Sequence, residues 1–377
     1  MKIWIDGCEA NVPQRLGSSQ IAFHLLKTLE KLDKKNDYTV FLPSQPSEEM
    51  PKERPGWHYR KIAVNSFKTW LALPWALYTN REKPDVFFSP THYAPGFSPV
   101  PRVNMIFDLA FLRFPKAFKK RDLWQMKLWT RVSVKGVKKI ITISEATKKD
   151  IIRFYHVDKS KITVAYPGYD KEIFHSAVGQ RSIDEIKQKY NIAGDYALYV
   201  GTIQPRKNLI RLIEAFQKID NLKLIIVGKT KGLGRQGWMY EEILARSAQL
   251  GIEDKVIFTG FAPTEDLPVL MSGAKVFVWP SLWEGFGMPP VEAMACGTPV
   301  ITSNVSSLPE AVGNAGILVD PKSVEQIEQS IRVLAFDVKF RKRKSKEALT
   351  QAAKFSWEKM ARTVLKTLEE AGVNKLT

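Results

Sequence analysis

Pro280-Ser281-Leu282-Trp283-Glu284-Gly285-Phe286-Gly287-Met288-Pro289-Pro290-Val291-Glu292-Ala293-Met294-Ala295-Cys296-Gly297 follows the apolar run Val276–Trp279. Together they read as a strand, a glycine-containing turn and a helix that opens near Pro289 or Pro290. Proline suits the first helical turn because its missing N–H would have no partner there. The loop glycines let backbone amides approach a ligand closely. Those amides and the helix N-terminus favour negative charge such as a diphosphate. Glu284 and Glu292 flank the loop, and a carboxylate beside a phosphate site is suited to accept hydrogen bonds from sugar hydroxyls. Composition alone also allows a plainer account, with Glu292 a first-turn acid complementing the helix dipole and Glu284 a solvated loop charge.

The same strand–loop–helix unit recurs upstream in Val200-Gly201-Thr202-Ile203-Gln204-Pro205-Arg206-Lys207-Asn208. Two cations there can neutralise a diphosphate leaving group without a metal. They can also be exposed loop charges, with Asn208 the N-cap of the next helix. On the first account Lys207→Ala spoils donor use but spares the fold, as an exposed cation holds up no core. Around this unit the second half predicts strands at 196–200, 223–227, 256–258, 276–279 and 299–302. Helices are expected near 209–219, 238–250, 264–273, 289–296 and 323–335. The first half predicts strands at 2–5, 38–42, 86–88, 103–106, 139–143 and 162–165, with a Gly/Ser loop, Arg15–Ser19, before the first helix. Alternation of this kind indicates parallel sheets covered by helices. The expectation is α/β: two doubly wound Rossmann-like domains, 1–175 and 176–355, facing across a cleft. Ligands in such domains bind outside the carboxyl ends of the strands.

Two resemblances fail on spacing. Gly228-Lys229-Thr230 lacks the glycine five positions earlier that a phosphate-binding P-loop needs, having Lys223 instead. Gly285-Phe286-Gly287 continues to Pro290, so the dinucleotide fingerprint is broken. The two cysteines, Cys8 and Cys296, form no metal-type spacing and fit a reducing, cytoplasmic setting. Met1–Gly7 reads as a strand and a turn, not a signal peptide. The apolar stretch Thr69–Tyr78 contains Pro74 and falls far short of the roughly 20 residues that span a bilayer.

Taken as a set, these motifs resemble family four of the retaining glycosyltransferases, which have the GT-B fold. The Glu284-x7-Glu292 spacing carries the likeness. It extends through Asp108-Leu109-Ala110-Phe111-Leu112, Ile143-Ser144-Glu145, Tyr166-Pro167-Gly168, Pro205–Asn208 and Leu308-Pro309-Glu310 to Phe355-Ser356-Trp357. The last motif implies a C-terminal helix, about 356–377, that crosses back onto the first domain. The resemblance implies that Arg206 and Lys207 hold the donor diphosphate. It assigns Glu284 and the amides of Gly285, Phe286, Gly287 and Met288 to the transferred sugar and phosphates, Glu292 to the ribose, and Gly17 to the phosphate from the N-terminal side. It further implies metal-independent transfer with retention and no cofactor beyond the nucleotide sugar. Mannose is the expected hexose, and a glycan or lipid-linked hydroxyl the acceptor. One position departs: Phe107 stands where the family often has histidine before Asp108. That departure motivates the alternative of a catalytically silent sugar-binding protein, and it leaves Asp108 between a catalytic role and a backbone-capping one.

The net charge is +18, with 30 Lys+Arg against 16 Asp+Glu in residues 1–171 and 27 against 23 beyond. A basic half fits an anionic partner. Residues 113–139 hold ten Lys or Arg and one acid, Asp122, interleaved with Phe114, Phe118, Trp124, Leu128 and Trp129. This is the pattern of a helix lying on an anionic membrane surface. The competing account puts Leu128 and Val132 in the core and leaves the lysines simply solvated. Nucleic acid is not expected, because no zinc spacing, RNA-binding strand motif or basic zipper is present. Together these features place the protein in the cytoplasm, peripheral on the inner face of the cytoplasmic membrane.

Overall fold

The computed structural model describes residues 1–15, 17–62, 71–229 and 240–373. Leu16 in the first loop, Thr69 at the start of the apolar stretch, Thr230, residues 238–239 of an expected helix and residues 374–377 lie outside these. The chain divides into two compact units, 1–168 with 356–377, and 169–355.

The first unit holds a parallel sheet of β1 (Lys2–Asp6), β2 (Asp37–Leu42), β3 (Trp57–Lys61), β4 (Val86–Ser89), β5 (Arg102–Ile106), β6 (Lys139–Thr142) and β7 (Ile162–Val164), in the order β3-β2-β1-β4-β5-β6-β7. Its helices are α1 (Ser18–Leu32), α2 (Ala72–Thr79), α3 (Ala110–Arg113), α4 (Lys120–Gly136) and α5 (Glu145–Tyr155). Ser144 starts α5 by accepting from Thr147 N at 3.1 Å. Strand β3, Trp57-His58-Tyr59-Arg60-Lys61, escaped the sequence reading. As an edge strand it buries only Trp57 and so lacks apolar alternation.

The second unit holds α6 (Gln180–Lys189), β8 (Tyr196–Val200), α7 (Leu209–Phe216), β9 (Lys223–Val227), α8 (Tyr240–Gln249), β10 (Val256–Gly260) and α9 (Leu267–Gly273). It continues through β11 (Val276–Trp279), α10 (Met288–Ala295), β12 (Val300–Ser303), α11 (Leu308–Val312), β13 (Ile317–Val319), α12 (Val324–Phe336) and α13 (Val338–Ala352). The parallel order is β10-β9-β8-β11-β12-β13. β11 is buried at every residue, as expected of a central parallel strand covered on both faces. In α7, Leu209, Leu212, Ile213 and Phe216 form the buried stripe, at the spacing of one helical face. The order reverses between β8 and β11, so their carboxyl ends form the switch point where doubly wound sheets bind ligands.

The final helix, α14 (Trp357–Val373), belongs to the first unit and lies against α1, with the Trp357 ring stacked on His24 at 4.8 Å. In α4 the core-facing residues are Thr130, Ser133 and Val134. Leu128 is 40 % exposed and Trp124 66 % exposed, so the competing account that puts Leu128 in the core does not hold. Among the described residues no helix is long and apolar enough to cross a membrane.

Candidate active site

The loops after β8 and β11 meet at the switch point, joined by a backbone hydrogen bond from Leu282 N to Arg206 O of 2.8 Å. Glu284 sits between both cations. Lys207 Nζ lies 2.6 Å from its Oε1, and Arg206 Nη1 lies 3.2 Å from its Oε2. Arg206 also donates to Trp283 O. Trp279 Nε1 donates to Glu284 Oε1 at 3.1 Å. Lys207 Nζ stands 4.5 Å above the Trp279 ring, which stacks on Tyr199 at 4.9 Å.

This arrangement corrects two sequence expectations. Lys207 is 7 % exposed and Glu284 8 %, so neither is a solvated loop charge. Burial alone would raise the Glu284 carboxyl, but Lys207 and then Arg206 outweigh it and hold the group at about 2. Glu284 is therefore ionised throughout the neutral range. It can accept hydrogen bonds but cannot deliver a proton.

Serines that motif reading passed over fix the shape of this loop. Ser306 Oγ accepts from Glu284 N at 3.1 Å. Ser307 Oγ donates to Glu284 O at 3.0 Å and Phe286 O at 2.9 Å. Their one sequence signal was their place just before Leu308-Pro309-Glu310. Gly287 caps α10 at φ +110°, and a Cβ there would stand 2.8 Å from Leu308 Cδ2. The Phe286 side chain is buried against Phe355, with ring centroids 5.2 Å apart, so it belongs to the core under the loop. Met288 opens α10, with Pro289 and Pro290 in the first turn. Glu292 lies beyond that first turn, which holds no acid, so the dipole account of it fails. Glu292 is partly buried, and burial pushes its carboxyl up to about 7.

Asn208 occupies the cap position of α7, but its side chain makes no cap bond. Held at φ +61°, it donates to Pro280 O at 3.0 Å and Pro321 O at 2.6 Å, tying loops together. Gly228 is explained by packing, since a Cβ there would lie 2.1 Å from Gly201 O.

Gly17 and Asp108 belong to the first unit. Gly17 precedes α1 at φ +56°, with open space where a Cβ would stand. Asp108 follows β5 and accepts from Ala110 N at 2.8 Å, the backbone cap that sequence allowed. Phe107 is partly exposed beside it. Sequence reading missed His92, in the loop after β4. Its Nε2 has no hydrogen-bond partner among the described residues, and burial pushes the imidazole down to about 4 against the opposing pull of Asp108.

Comparison with known proteins bears on both halves. Residues 182–351 match the model of Glycosyl transferases group 1, and residues 17–173 that of Glycosyltransferase Family 4. The O-antigen chain mannosyltransferase B of Escherichia coli is 35 % identical over 68 % of this chain and 67 % of its own length. The serotype-specific mannosyltransferase WbdA of Escherichia coli is 31 % identical over 59 % of this chain, but the match spans only 27 % of that longer protein. Among solved structures, Anabaena HepE in complex with UDP and glucose superposes with a TM-score of 0.77 at 20 % identity, over 98 % of this chain and 100 % of its own. WaaG, a glycosyltransferase involved in lipopolysaccharide biosynthesis, gives 0.71 at 17 % identity, over 98 % of this chain and 99 % of its own.

Proposed function

This chain belongs to the group 1 glycosyltransferases, family four, with the GT-B fold class of two Rossmann-like units, and from that premise we propose that it moves mannose from a nucleotide diphosphate donor to a glycan or lipid-linked hydroxyl with retention of configuration. The observation that carries this reading is the convergence of Arg206, Lys207 and Glu284 at the β8–β11 switch point. The mannose assignment follows from the likeness to mannosyltransferases.

In this scheme the diphosphate lies against Arg206, Lys207 and the amides of Gly285 to Met288. Glu284 accepts from hydroxyls of the transferred sugar, and Glu292 from the ribose. The cations supply the positive charge that a metal ion would otherwise bring. The anomeric carbon parts from the phosphate oxygen as the acceptor oxygen approaches on the same face, and that departing oxygen takes the acceptor proton. Glu284, held as a carboxylate, cannot serve as the proton donor. Gly17, at the open turn before α1, is kept as a candidate phosphate contact on the strength of the family resemblance, and Asp108 shapes the backbone entering α3. The exposed face of α4 fits the inner surface of an anionic cytoplasmic membrane, where a lipid-linked acceptor would be found.

The test is a thermal-shift screen over nucleoside diphosphates and their sugar conjugates, since a ligand bound only to the native state raises the melting temperature. Product anomeric configuration, read by NMR with GDP-mannose as donor, follows. Stabilisation by no nucleotide diphosphate, or a product of inverted configuration, refutes the assignment.

A further inference from the structure

In the first unit, register sorts the sheet residues by face. Trp4 pairs with Phe87, and Phe87 with Arg102. Asn104, two residues on, pairs with Ile140. Paired residues in parallel strands share a face, and so do residues two apart. Trp4 and Phe87 belong to the core cluster that takes Leu73 and Leu77 of α2. Ile106 and Ile140 belong to the cluster that takes Val134 of α4. Helices α2 and α4 therefore lie in one layer over the same face of the sheet.

Arg102, on the same face, ties the end of α4 to the loop that follows β4. Its guanidinium donates to Gly136 O at the end of α4 and to Pro95 O of that loop. The outer surface of this layer is unusually apolar. Leu71, Trp75 and Tyr78, spaced along one side of α2, are 63 %, 72 % and 55 % exposed. Phe97 in the intervening loop is 73 % exposed, and Trp124 on α4 is 66 % exposed. Every exposed aromatic that is large and described in the first unit lies here.

The exposed charges of α4 beside this patch are of one sign. The outer face of α4 presents Lys120, Arg121, Lys127, Arg131 and Lys135, all exposed, and no acid among them. Helix α2 carries no charge, and Lys83 Nζ bonds the carbonyls of Leu77 and Tyr78 at its end, both at 2.6 Å. Glu82, nearby, is paired with Lys2.

We propose that α2 is the apolar anchor of a two-part attachment to an anionic lipid bilayer, inserting Leu71, Trp75 and Tyr78 at the headgroup boundary while α4 supplies the electrostatic attraction. The chemistry favours lipid over a protein partner: uncharged aromatics with polar tips settle at a membrane interface, and the flanking cations match anionic headgroups. Two signals are needed because a single weak anchor gives only marginal, reversible binding. The proposal deepens the α4 reading and fails separately from it, since salt screens the cations but not apolar insertion.

The full chain is sedimented with phosphatidylcholine vesicles containing about one-third phosphatidylglycerol, at low salt and at about 0.5 M salt. Wild-type protein retains a bound fraction at high salt. Trp75→Ala/Tyr78→Ala loses that fraction by about tenfold while keeping its melting temperature, because both side chains are exposed. Lys127→Ala/Arg131→Ala loses affinity mainly at low salt. A double α2 variant that binds like wild type at both salts overturns α2 insertion and leaves α4 standing, as does wild-type binding abolished by salt. No binding at low salt overturns both. A Trp75-dependent dimer in light scattering makes the face an interface between copies and overturns the proposal.

Discussion

Replacing Lys207 by alanine strips Glu284 of the partner 2.6 Å from its Oε1, leaving Arg206 Nη1 at 3.2 Å and Trp279 Nε1 at 3.1 Å. Removing one partner of a buried pair costs about 3–5 kcal/mol because the surviving charge stays desolvated. The partners that remain reduce this to about 3 kcal/mol. For a unit of this size, about 2–4 °C per kcal/mol gives a melting temperature lower by about 6–12 °C. The sequence alone implied no such loss. Differential scanning calorimetry of Lys207→Ala, Glu284→Gln and the double variant reads the coupling. The double variant should recover much of the stability, since no uncompensated carboxylate remains, while transfer stays about 100-fold or more below wild type. The acid limb moves as well. Glu284 stabilises the wild-type fold above its unfolded value of about 4.5, and that stability is lost as pH falls through its folded value. Without Lys207 the folded value rises, so the loss begins at higher pH. Lys207→Ala melting with wild type, with an unmoved acid limb, refutes the buried-pair argument.

Glu292 behaves in the opposite sense. Its folded value of about 7 exceeds the unfolded one, so ligand-free stability is fully present below about 4.5 and declines by up to about 3 kcal/mol as pH rises through 7. Glu292→Gln should flatten that decline in pH-dependent melts. If the ionised carboxylate accepts from ribose, nucleotide affinity measured by calorimetry should rise with pH through 7 in wild type only. Gly287→Ala meets both a φ of +110° and Leu308 at 2.8 Å, and should lose about 1–3 kcal/mol in denaturant unfolding together with most nucleotide affinity. Ser307→Ala unpins the carbonyls of Glu284 and Phe286, with an expected loss of about 1–2 kcal/mol and a lower kcat/KM; unchanged kinetics would show that α10 alone sets the loop.

The alternation of apolar runs with helical stripes was enough to place β8, β9 and β11 at the bounds the structure gives them, because central parallel strands are buried on both faces and must be apolar throughout. Edge strands β3 and β13 carry no such requirement, and neither was visible. The motif residues Arg206, Lys207 and Glu284 were legible by type and order, since a strand's carboxyl end and a helix N-terminus are local features. Their environment was not. Whether Lys207 is solvated or sealed beneath Trp279, and whether Glu284 and Glu292 titrate near 2 or near 7, depends on what the fold lays over each side chain. The same holds for the α2–α4 surface: the basic stretch could be read along the chain, but only the pairing of β1, β4, β5 and β6 puts uncharged α2 in the layer beside it. Covalent order fixes residue type and local propensity, whereas burial and the sign of the field at a carboxylate are set by neighbours distant in sequence.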